Sequence, residues 1–308
     1  MQRNPLRVVA RSACLVALLL VAAAVTAAAQ GSFGADFIRV PQEPVGRSLA
    51  GAHLGQVSGA AAMAWNPAGL GYTPGAEAVL SHATWTAGTA AEWGALALPV
   101  AGGGVGLACG VFRSGALDGY LADGTPTGEF TPTQLHRALG YGRTVARRLQ
   151  FGAALEGALE DDGQGHGYQA WAANLGGQYT IGRLELGLAA LHLGPDVEAG
   201  GEPYPLPLTL RGGGSYRVAQ RAHVHAAAEW VAQEAPRLLF AGSWGPSASL
   251  TALAGARLIE EGLERAVEPT FGLTLDLGPT VFAYGYLPER NLEASHQLSL
   301  GLRLGRSP

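Results

Sequence analysis

The 308-residue sequence contains no lysine, and only 14% of its residues are charged, against about 25% in an average soluble domain. A phosphate-binding P-loop requires a lysine, so that motif is excluded. All 20 cationic side chains are arginines, and 24 acidic residues outnumber them. Because a nucleic-acid-binding surface needs excess positive charge, we expect no nucleic-acid partner.

Cysteine and long apolar runs are also scarce. Of the two cysteines, Cys14 lies in the first thirty residues, so Cys109 alone remains beyond them and no internal disulfide is expected there. Cys109 is predicted to be a small buried or lipid-facing side chain. No later stretch is an uninterrupted apolar run of the roughly 20 residues that a helical membrane span needs.

The N-terminus has the pattern of a signal peptide. Arg3, Arg7 and Arg11 precede an apolar run, and the small residues 27–29 form an A-x-A cleavage site before Gln30. An uncleaved anchor is the alternative, but the apolar run is short for one. We predict that residues 1–29 are removed, leaving 17 arginines against 24 acidic residues, a net charge of −7.

From residue 77 onward, apolar and polar or small residues alternate with a period of two, which is typical of strands with two different faces. Phe271, Leu273 and Leu275, for example, alternate with Gly272, Thr274 and Asp276. Turn signals rich in Gly, Pro, Asp and Asn separate such runs. The pattern predicts about fourteen strands, near 77–87, 89–99, 104–113, 133–144, 148–160, 167–181, 183–194, 206–218, 222–233, 237–244, 248–259, 268–277, 280–287 and 295–304.

Two architectures accept this many antiparallel strands: a soluble sandwich or propeller, and a transmembrane barrel. The polar faces hold many small residues and few charges, as a confined lumen requires. Aromatic residues near predicted strand ends fit interfacial girdles; they are Trp230, Trp244, Tyr284 and Tyr286. We therefore predict an all-β fold, a transmembrane antiparallel β-barrel of about 14 strands over residues 77–304, with a C-terminal tail at 305–308.

Residues 30–76 do not alternate. Their small-residue core predicts a short helix around Ala60–Trp65, a turn at Asn66-Pro67 and a brief helical turn at Ala68–Leu70, because proline restricts the residue before it. Composition leaves two roles open for this short N-terminal helical segment: a hatch packed inside the lumen, or a periplasmic leader with no plugging role.

The runs Arg47–Ala52 and Trp65–Leu70 resemble the N-terminal signature of the PorV/PorQ-like outer-membrane family. Later stretches are similar as well, at residues 207–216, 253–257, 284–286 and 296–303. That family is similar to the FadL-type transporters of hydrophobic compounds, which are fourteen-stranded barrels with an Asn-Pro-Ala element in an N-terminal hatch. The resemblance implies that this element is Asn66, Pro67 and Ala68 here. We predict a hatch site formed by Trp65, Asn66, Pro67, Ala68, Gly69 and Leu70.

Two expectations follow for this hatch. The indole N–H of Trp65 needs a hydrogen-bond acceptor, which we expect from a polar lumen wall. Gly69 and the preceding alanines are expected to let the backbone approach that wall closely.

Two functions remain open. The PorV resemblance implies a non-enzymatic binding and scaffold barrel of a type IX-like secretion pathway, with secretion components or secreted cargo as partners. The FadL resemblance implies instead a conduit for hydrophobic molecules, with a hydrophobic ligand in the lumen. Either barrel would be surrounded by outer-membrane lipids.

Motifs for catalysis are missing. The run Gly242–Gly245 has the wrong spacing for a nucleophile elbow, and the glycines at 102–106 do not complete a dinucleotide-binding pattern. His223, His225 and Glu229 share one predicted strand face and could be read as metal ligands. We interpret them as lumenal polar groups, so no enzyme activity, cofactor or metal is predicted.

Overall fold

The structure is a computed structural model that describes residues 33–40, 43–85, 88–121, 123–199, 201–261, 264–288 and 294–305. The predicted signal peptide (1–29) and residues 306–308 of the predicted tail lie outside them. The described residues form eighteen strands: β1 (Ala76–Thr84), β2 (Ala90–Val100), β3 (Gly103–Arg113), β4 (Leu117–Tyr120), β5 (Pro126–Phe130), β6 (Thr133–Ala146), β7 (Leu149–Asp161), β8 (Gly167–Ile181), β9 (Leu184–Leu193), β10 (Val197–Ala199), β11 (Glu202–Tyr204), β12 (Thr209–Ala219), β13 (Ala222–Val231), β14 (Arg237–Trp244), β15 (Leu250–Glu261), β16 (Glu264–Asp276), β17 (Thr280–Leu287) and β18 (Ser295–Leu304).

Fourteen of these strands form a closed antiparallel barrel, which confirms the predicted fold class. Neighbours in sequence pair with each other, and β18 pairs with β1 to close the wall. Closure leaves no free strand edge, as a barrel in lipid requires. The sequence pattern did not predict two small hairpins, β4–β5 and β10–β11, which form separate two-stranded sheets. Their strands of three to five residues are too short for alternation to be detected.

Most positions on the barrel strands turn large apolar side chains outward and small or polar ones inward; Trp93 and Leu239 are inward exceptions that pack against the chain inside the lumen. On β18 the outward Leu298 is 56% exposed, whereas the adjacent inward Gln297 is 0% exposed. Cys109 is exposed on the outer face of β3. An apolar exterior and a polar interior are the reverse of a soluble β protein and are typical of a lipid-embedded barrel.

This orientation predicts different effects for two neighbouring substitutions on β18. Leu300→Arg directs a charge into lipid midway along the strand, and we expect it to lower the free energy of unfolding by about 2–4 kcal/mol. Ser299→Arg points into the lumen and should be tolerated. Unfolding in a bilayer measures both variants, and equal destabilisation would contradict the orientation of β18.

The two ends of the barrel differ in the length of their connections. At one end, only two residues separate β2 from β3, β6 from β7, β8 from β9, and β12 from β13. At the other, residues 114–132 and 194–208 form long loops that contain the two small hairpins. We call these the short-turn end and the long-loop end. In bacterial outer-membrane barrels the short turns are periplasmic and the long loops extracellular.

The described residues before β1, 33–40 and 43–75, which we call the inner segment, lie inside the barrel and form five short helices. They are 3₁₀ helices at Asp36–Arg39, Gly59–Ala61 and Pro67–Gly71, and α-helices at Pro44–Ser48 and Ala62–Trp65. None of the helices described here is long and apolar enough to cross a membrane. The segment begins at the long-loop end, where Phe37 packs against Ala158, Ala170 and Val197. It finishes at the short-turn end, where β1 begins.

Candidate functional site

The Asn66-Pro67 turn lies near the middle of the inner segment, the chain inside the barrel before β1. Asn66 is extended (φ −159°), as a residue before proline prefers, and Pro67 opens the next 3₁₀ helix. The side-chain oxygen of Asn66 accepts from the N–H of Ala68 at 3.1 Å. Its amide donates to the carbonyls of Leu54 (3.1 Å) and Gly177 (3.3 Å), the second of which belongs to the wall strand β8. One side chain thus caps a helix and ties the segment to the barrel.

Because Asn66 is fully buried, its removal should be costly. We expect Asn66→Ala to lower the free energy of unfolding by about 1–3 kcal/mol, since it leaves buried backbone partners unsatisfied. Thermal unfolding in detergent measures this effect. Thr133→Ala is the control. It removes an exposed hydroxyl that donates a 3.5 Å hydrogen bond to the Thr131 carbonyl, and it should lower the free energy of unfolding far less. An Asn66→Ala protein as stable as wild type would contradict the structural role of this side chain.

Trp65 joins the inner segment to the wall in a way that the sequence did not predict. Its indole N–H donates to Oε2 of Glu43 at 3.1 Å, so the acceptor comes from the segment itself and the expected wall acceptor was wrong. The wall contributes instead the guanidinium of Arg211, 5.3 Å from the ring centroid. This is a cation–π geometry. His53 packs edge-on against the same ring at 5.3 Å.

Glu43 and His53, both on the inner segment, show what burial does in the lumen. The Glu43 carboxylate accepts from the N–H groups of Val45 (2.9 Å) and Gly46 (2.7 Å), which caps the helix Pro44–Ser48. Burial raises the pKa of Glu43, and these hydrogen bonds oppose that rise. Burial lowers the pKa of His53 to about 3, with further lowering from His225 and Arg211. His53 is therefore neutral at pH 7.

The wall approaches the segment through inward-facing glycines. A methyl group added at Gly152 would lie 2.2 Å from the carbonyl oxygen of Pro67, and one at Gly187 would lie 2.4 Å from the carbonyl carbon of Leu54. Similar clashes would arise at Gly104, Gly140, Gly142 and Gly176. Gly69 does not face the wall: a methyl there would meet the Val57 carbonyl of the segment itself at 2.2 Å. The expectation for Gly69 was therefore wrong, and wall glycines provide the close approach.

Both ends of the segment are attached to the barrel. At the long-loop end, the N–H of Ala35 donates to the hydroxyl of Tyr168 at 2.8 Å. At the short-turn end, the hydroxyl of Thr144 donates to the carbonyl of Gly71 at 2.8 Å. Between them, the Gln178 amide donates to the carbonyls of Leu54 and Val57, each at 2.9 Å. The segment is fastened along its length by individual polar contacts rather than by a strand pairing.

Two cavities lie beside the middle of the segment. One, of about 410 Å³, opens toward the long-loop end and combines aromatic rings with arginines; its lining includes Trp65, Trp85, Phe112, Arg47, Arg211 and Arg237. We call it the vestibule. A smaller inner cavity of about 40 Å³ lies between the turn at Met63–Pro67 and the wall. The lumen therefore narrows sharply next to Trp65 and Asn66.

Two arginines of the vestibule, Arg211 and Arg237, are held by acidic partners. The Arg211 Nε lies 2.5 Å from Oε2 of Glu229, and Arg237 contacts the other carboxylate oxygen at 3.3 Å. Arg237 also pairs with Glu234, which in turn binds Arg39 of the inner segment at 2.6 Å. This chain of ion pairs connects the segment to β12, β13 and β14 at the long-loop end.

A buried polar cluster borders the inner cavity, and sequence reasoning missed it. Glu156 on β7 is 2% exposed; its oxygens lie 2.8 Å from His136 Nε2 and 3.2 Å from His192 Nδ1. Asn174 donates to the same carboxylate at 2.7 Å and accepts from the N–H of His192. His192 has a positive φ of 60° where the β8–β9 register shifts, which indicates a bulge. These four residues come from four strands, so no local spacing marks them.

The residues considered as metal ligands do not converge. His225 lies 2.8 Å from the hydroxyl of Ser215, whereas Glu229 binds arginine. The rings of His223 and His225 are 6.3 Å apart. Across the described ranges, no group of three or more His, Cys, Asp or Glu side chains is placed to hold a metal ion.

Comparison by sequence finds no matching protein-family profile and no matching curated protein. Comparison by structure finds channels. The toluene transporter TbuX of Ralstonia pickettii is 17% identical, with 85% of this chain and 98% of that chain covered and a TM-score of 0.57. The CymD monoaromatic hydrocarbon channel is 15% identical, with coverage of 85% and 97% and a TM-score of 0.61. A Pseudomonas aeruginosa FadL homologue is 9% identical, with coverage of 86% and 99% and a TM-score of 0.57.

At these identities the likeness concerns the fold. The neighbours are channels rather than enzymes, which is consistent with the absence of catalytic motifs in the sequence. These neighbours do not support a scaffold role in secretion, and they do not support the specific resemblance to the PorV/PorQ family. The chain has the fold of the FadL-type outer-membrane channels for hydrophobic compounds.

Proposed function

We propose that this protein is a non-enzymatic outer-membrane channel that lets hydrophobic small molecules cross passively, with residues 30–76 as a hatch that closes it at rest. The observation that carries the proposal is the buried Asn66-Pro67 turn, which lies between the vestibule and the short-turn end inside a closed barrel. The neighbours with this fold include a toluene transporter and a monoaromatic hydrocarbon channel.

The cavity volumes support a hatch that must move. An apolar cavity of about 150 Å³ accommodates benzene. The vestibule, at about 410 Å³, is large enough for such a ring, whereas the inner cavity, at about 40 Å³, is not. A hydrophobic molecule can therefore enter from the long-loop end but can pass Trp65 only if the segment shifts.

A reversible lock tests this proposal. Ala50 on the segment faces Gly255 on β15. A Cβ at Gly255 would lie 3.0 Å from that of Ala50 and 2.9 Å from its backbone nitrogen, so the segment must move away from β15 by a few tenths of an ångström to reach the roughly 3.8 Å of a disulfide. The variant Ala50→Cys/Gly255→Cys is made with Cys109→Ser and expressed in a Gram-negative host. We expect uptake of radiolabelled toluene to be lost on oxidation and restored on reduction. The single variants control for each substitution, and uptake that is insensitive to oxidation contradicts the proposal.

The secretion-scaffold role rests on the sequence resemblance alone. Removing residues 46–70 distinguishes the two functions. In a scaffold, this deletion should weaken binding of copurifying proteins and leave uptake of hydrophobic molecules unchanged. In a channel it should change uptake.

A further inference from the structure

Among the residues that the structure describes, the exposed arginines at the short-turn end are concentrated on one side of the barrel. Three turns connect β6 to β7, β8 to β9, and β12 to β13, and each carries at least one exposed arginine. Their six strands are consecutive in the wall. With one outward-facing neighbour on β6, the set comprises Arg143, Arg147, Arg148, Arg183 and Arg221. We call this set the arginine arc.

Backbone hydrogen bonds connect the turns of the arc to neighbouring strands and fix their positions. The Arg148 carbonyl accepts from the N–H of Thr180 at 2.9 Å, and the Arg183 carbonyl accepts from the N–H of Arg217 at 3.0 Å. The Arg221 carbonyl accepts from the N–H of Gly245 at 2.8 Å. The arc is therefore part of the rim of the barrel rather than a loose loop.

None of the five arginines has a carboxylate partner among the residues described by the structure, although arginines in the vestibule and at Arg303 do. The turns on the opposite side have no charge at all: they are residues 101–102, 245–249 and 277–279. A chain with only 14% charged residues thus places five unpaired cations on half of one rim.

The wall next to the arc carries outward aromatic side chains. Tyr141, Phe151, Tyr179 and Tyr216 lie near the short-turn ends of β6, β7, β8 and β12 and are 38–52% exposed. Arg143 sits directly opposite Phe151 in the β6–β7 pairing. The opposite side also has exposed aromatic rings at this end, Trp244 on β14 and Phe282 on β17, beside aliphatic residues: Leu98, Val100, Leu250, Leu277 and Leu304. Aromatic rings prefer the interface between acyl chains and headgroups, so the arc lies at headgroup level.

We propose that the arginine arc binds the phosphates of anionic phospholipids in the leaflet at the short-turn end. Guanidinium groups form paired hydrogen bonds with phosphate, and long arginine side chains extend to the headgroup layer from a lipid-facing wall. The arc continues the lipid-facing surface, which makes a lipid rather than a soluble protein its occupant. Bound lipid would neutralise one side of the rim and give the barrel a preferred lipid neighbour.

Lipid selection from a mixed bilayer tests the proposal. The protein is placed in nanodiscs with equal amounts of phosphatidylglycerol and phosphatidylcholine with the same acyl chains, and retained lipids are measured by native mass spectrometry. Each arginine near an anionic surface contributes about fivefold in affinity, so we expect wild type to retain mainly phosphatidylglycerol. Arg147→Gln/Arg148→Gln should reduce this preference at least fivefold, and adding Arg183→Gln and Arg221→Gln should abolish it.

Matched variants make the result specific. Arg113→Gln/Arg137→Gln removes two exposed arginines near the long-loop end and should keep the preference, as should Arg147→Lys/Arg148→Lys. Heat-modifiable migration on gels verifies that each variant is folded. The proposal is overturned if wild type shows no preference, or if the control pair reduces it as much as the arc pair. It is also overturned if arc variants lose binding of a soluble polyglutamate peptide while their lipid preference is unchanged.

Discussion

Deletion of residues 46–70 is expected to leave a folded barrel whose conductance in planar bilayers rises well above that of wild type. The wall does not depend on these residues for its hydrogen bonds, because every barrel strand pairs with two others and β18 closes on β1. The deleted part contains Leu54, Asn66 and Leu70, all at 0% exposure inside the lumen. Their removal opens the space that they fill.

The same recording provides the control for this deletion. Removing the hairpin β4–β5, which forms a sheet of its own in a loop, shortens the chain but leaves the inner segment in place. The conductance of this variant should therefore remain as low as that of wild type. A barrel that lacks residues 46–70, folds normally and stays as closed as wild type would show that this segment is not a hatch.

A single methyl group added by substitution on the lumenal face of the barrel wall is expected to displace the hatch. In Gly176→Ala the new methyl would lie 2.0 Å from the Asn66 side-chain oxygen and 2.9 Å from the N–H nitrogen of Ala68. Asn66 cannot simply rotate away, because three hydrogen bonds hold its side chain. We expect a loss of about 1–3 kcal/mol in the free energy of unfolding, as for overpacked sites, together with increased leakage of small solutes.

The adjacent residue provides a matched control. Gly177 faces outward, and a methyl group there would lie 3.6 Å from the Phe151 ring, an ordinary contact. Gly177→Ala should therefore be as stable and as closed as wild type. Thermal unfolding and a liposome-swelling assay measure both variants. Equal behaviour of Gly176→Ala and Gly177→Ala would mean that wall glycines do not position the Asn66-Pro67 turn.

The local sequence pattern was sufficient to predict the barrel strands and the Asn66-Pro67 turn. Alternation places Phe271 and Leu273 on one face without reference to any other strand, and β16 has that orientation in the barrel. The Asn66-Pro67 turn is equally local, because the restriction that proline imposes and the bond from Asn66 to Ala68 involve adjacent residues. The helices at Asp36–Arg39 and Pro44–Ser48 were not predicted, since four or five residues carry no periodicity.

By itself, the sequence determined which residues share a strand face, because side-chain direction in a strand depends only on position along it, and the small, charge-poor polar faces favoured a barrel over a soluble sandwich. Tertiary structure alone decided which distant residues meet. Glu43 accepts from Trp65, Gly176 accommodates Asn66, and Glu156 meets His136 and His192 only because barrel closure and strand register bring separate segments together. The arginine arc has the same origin: its turns are far apart in sequence and become neighbours only when their strands pair.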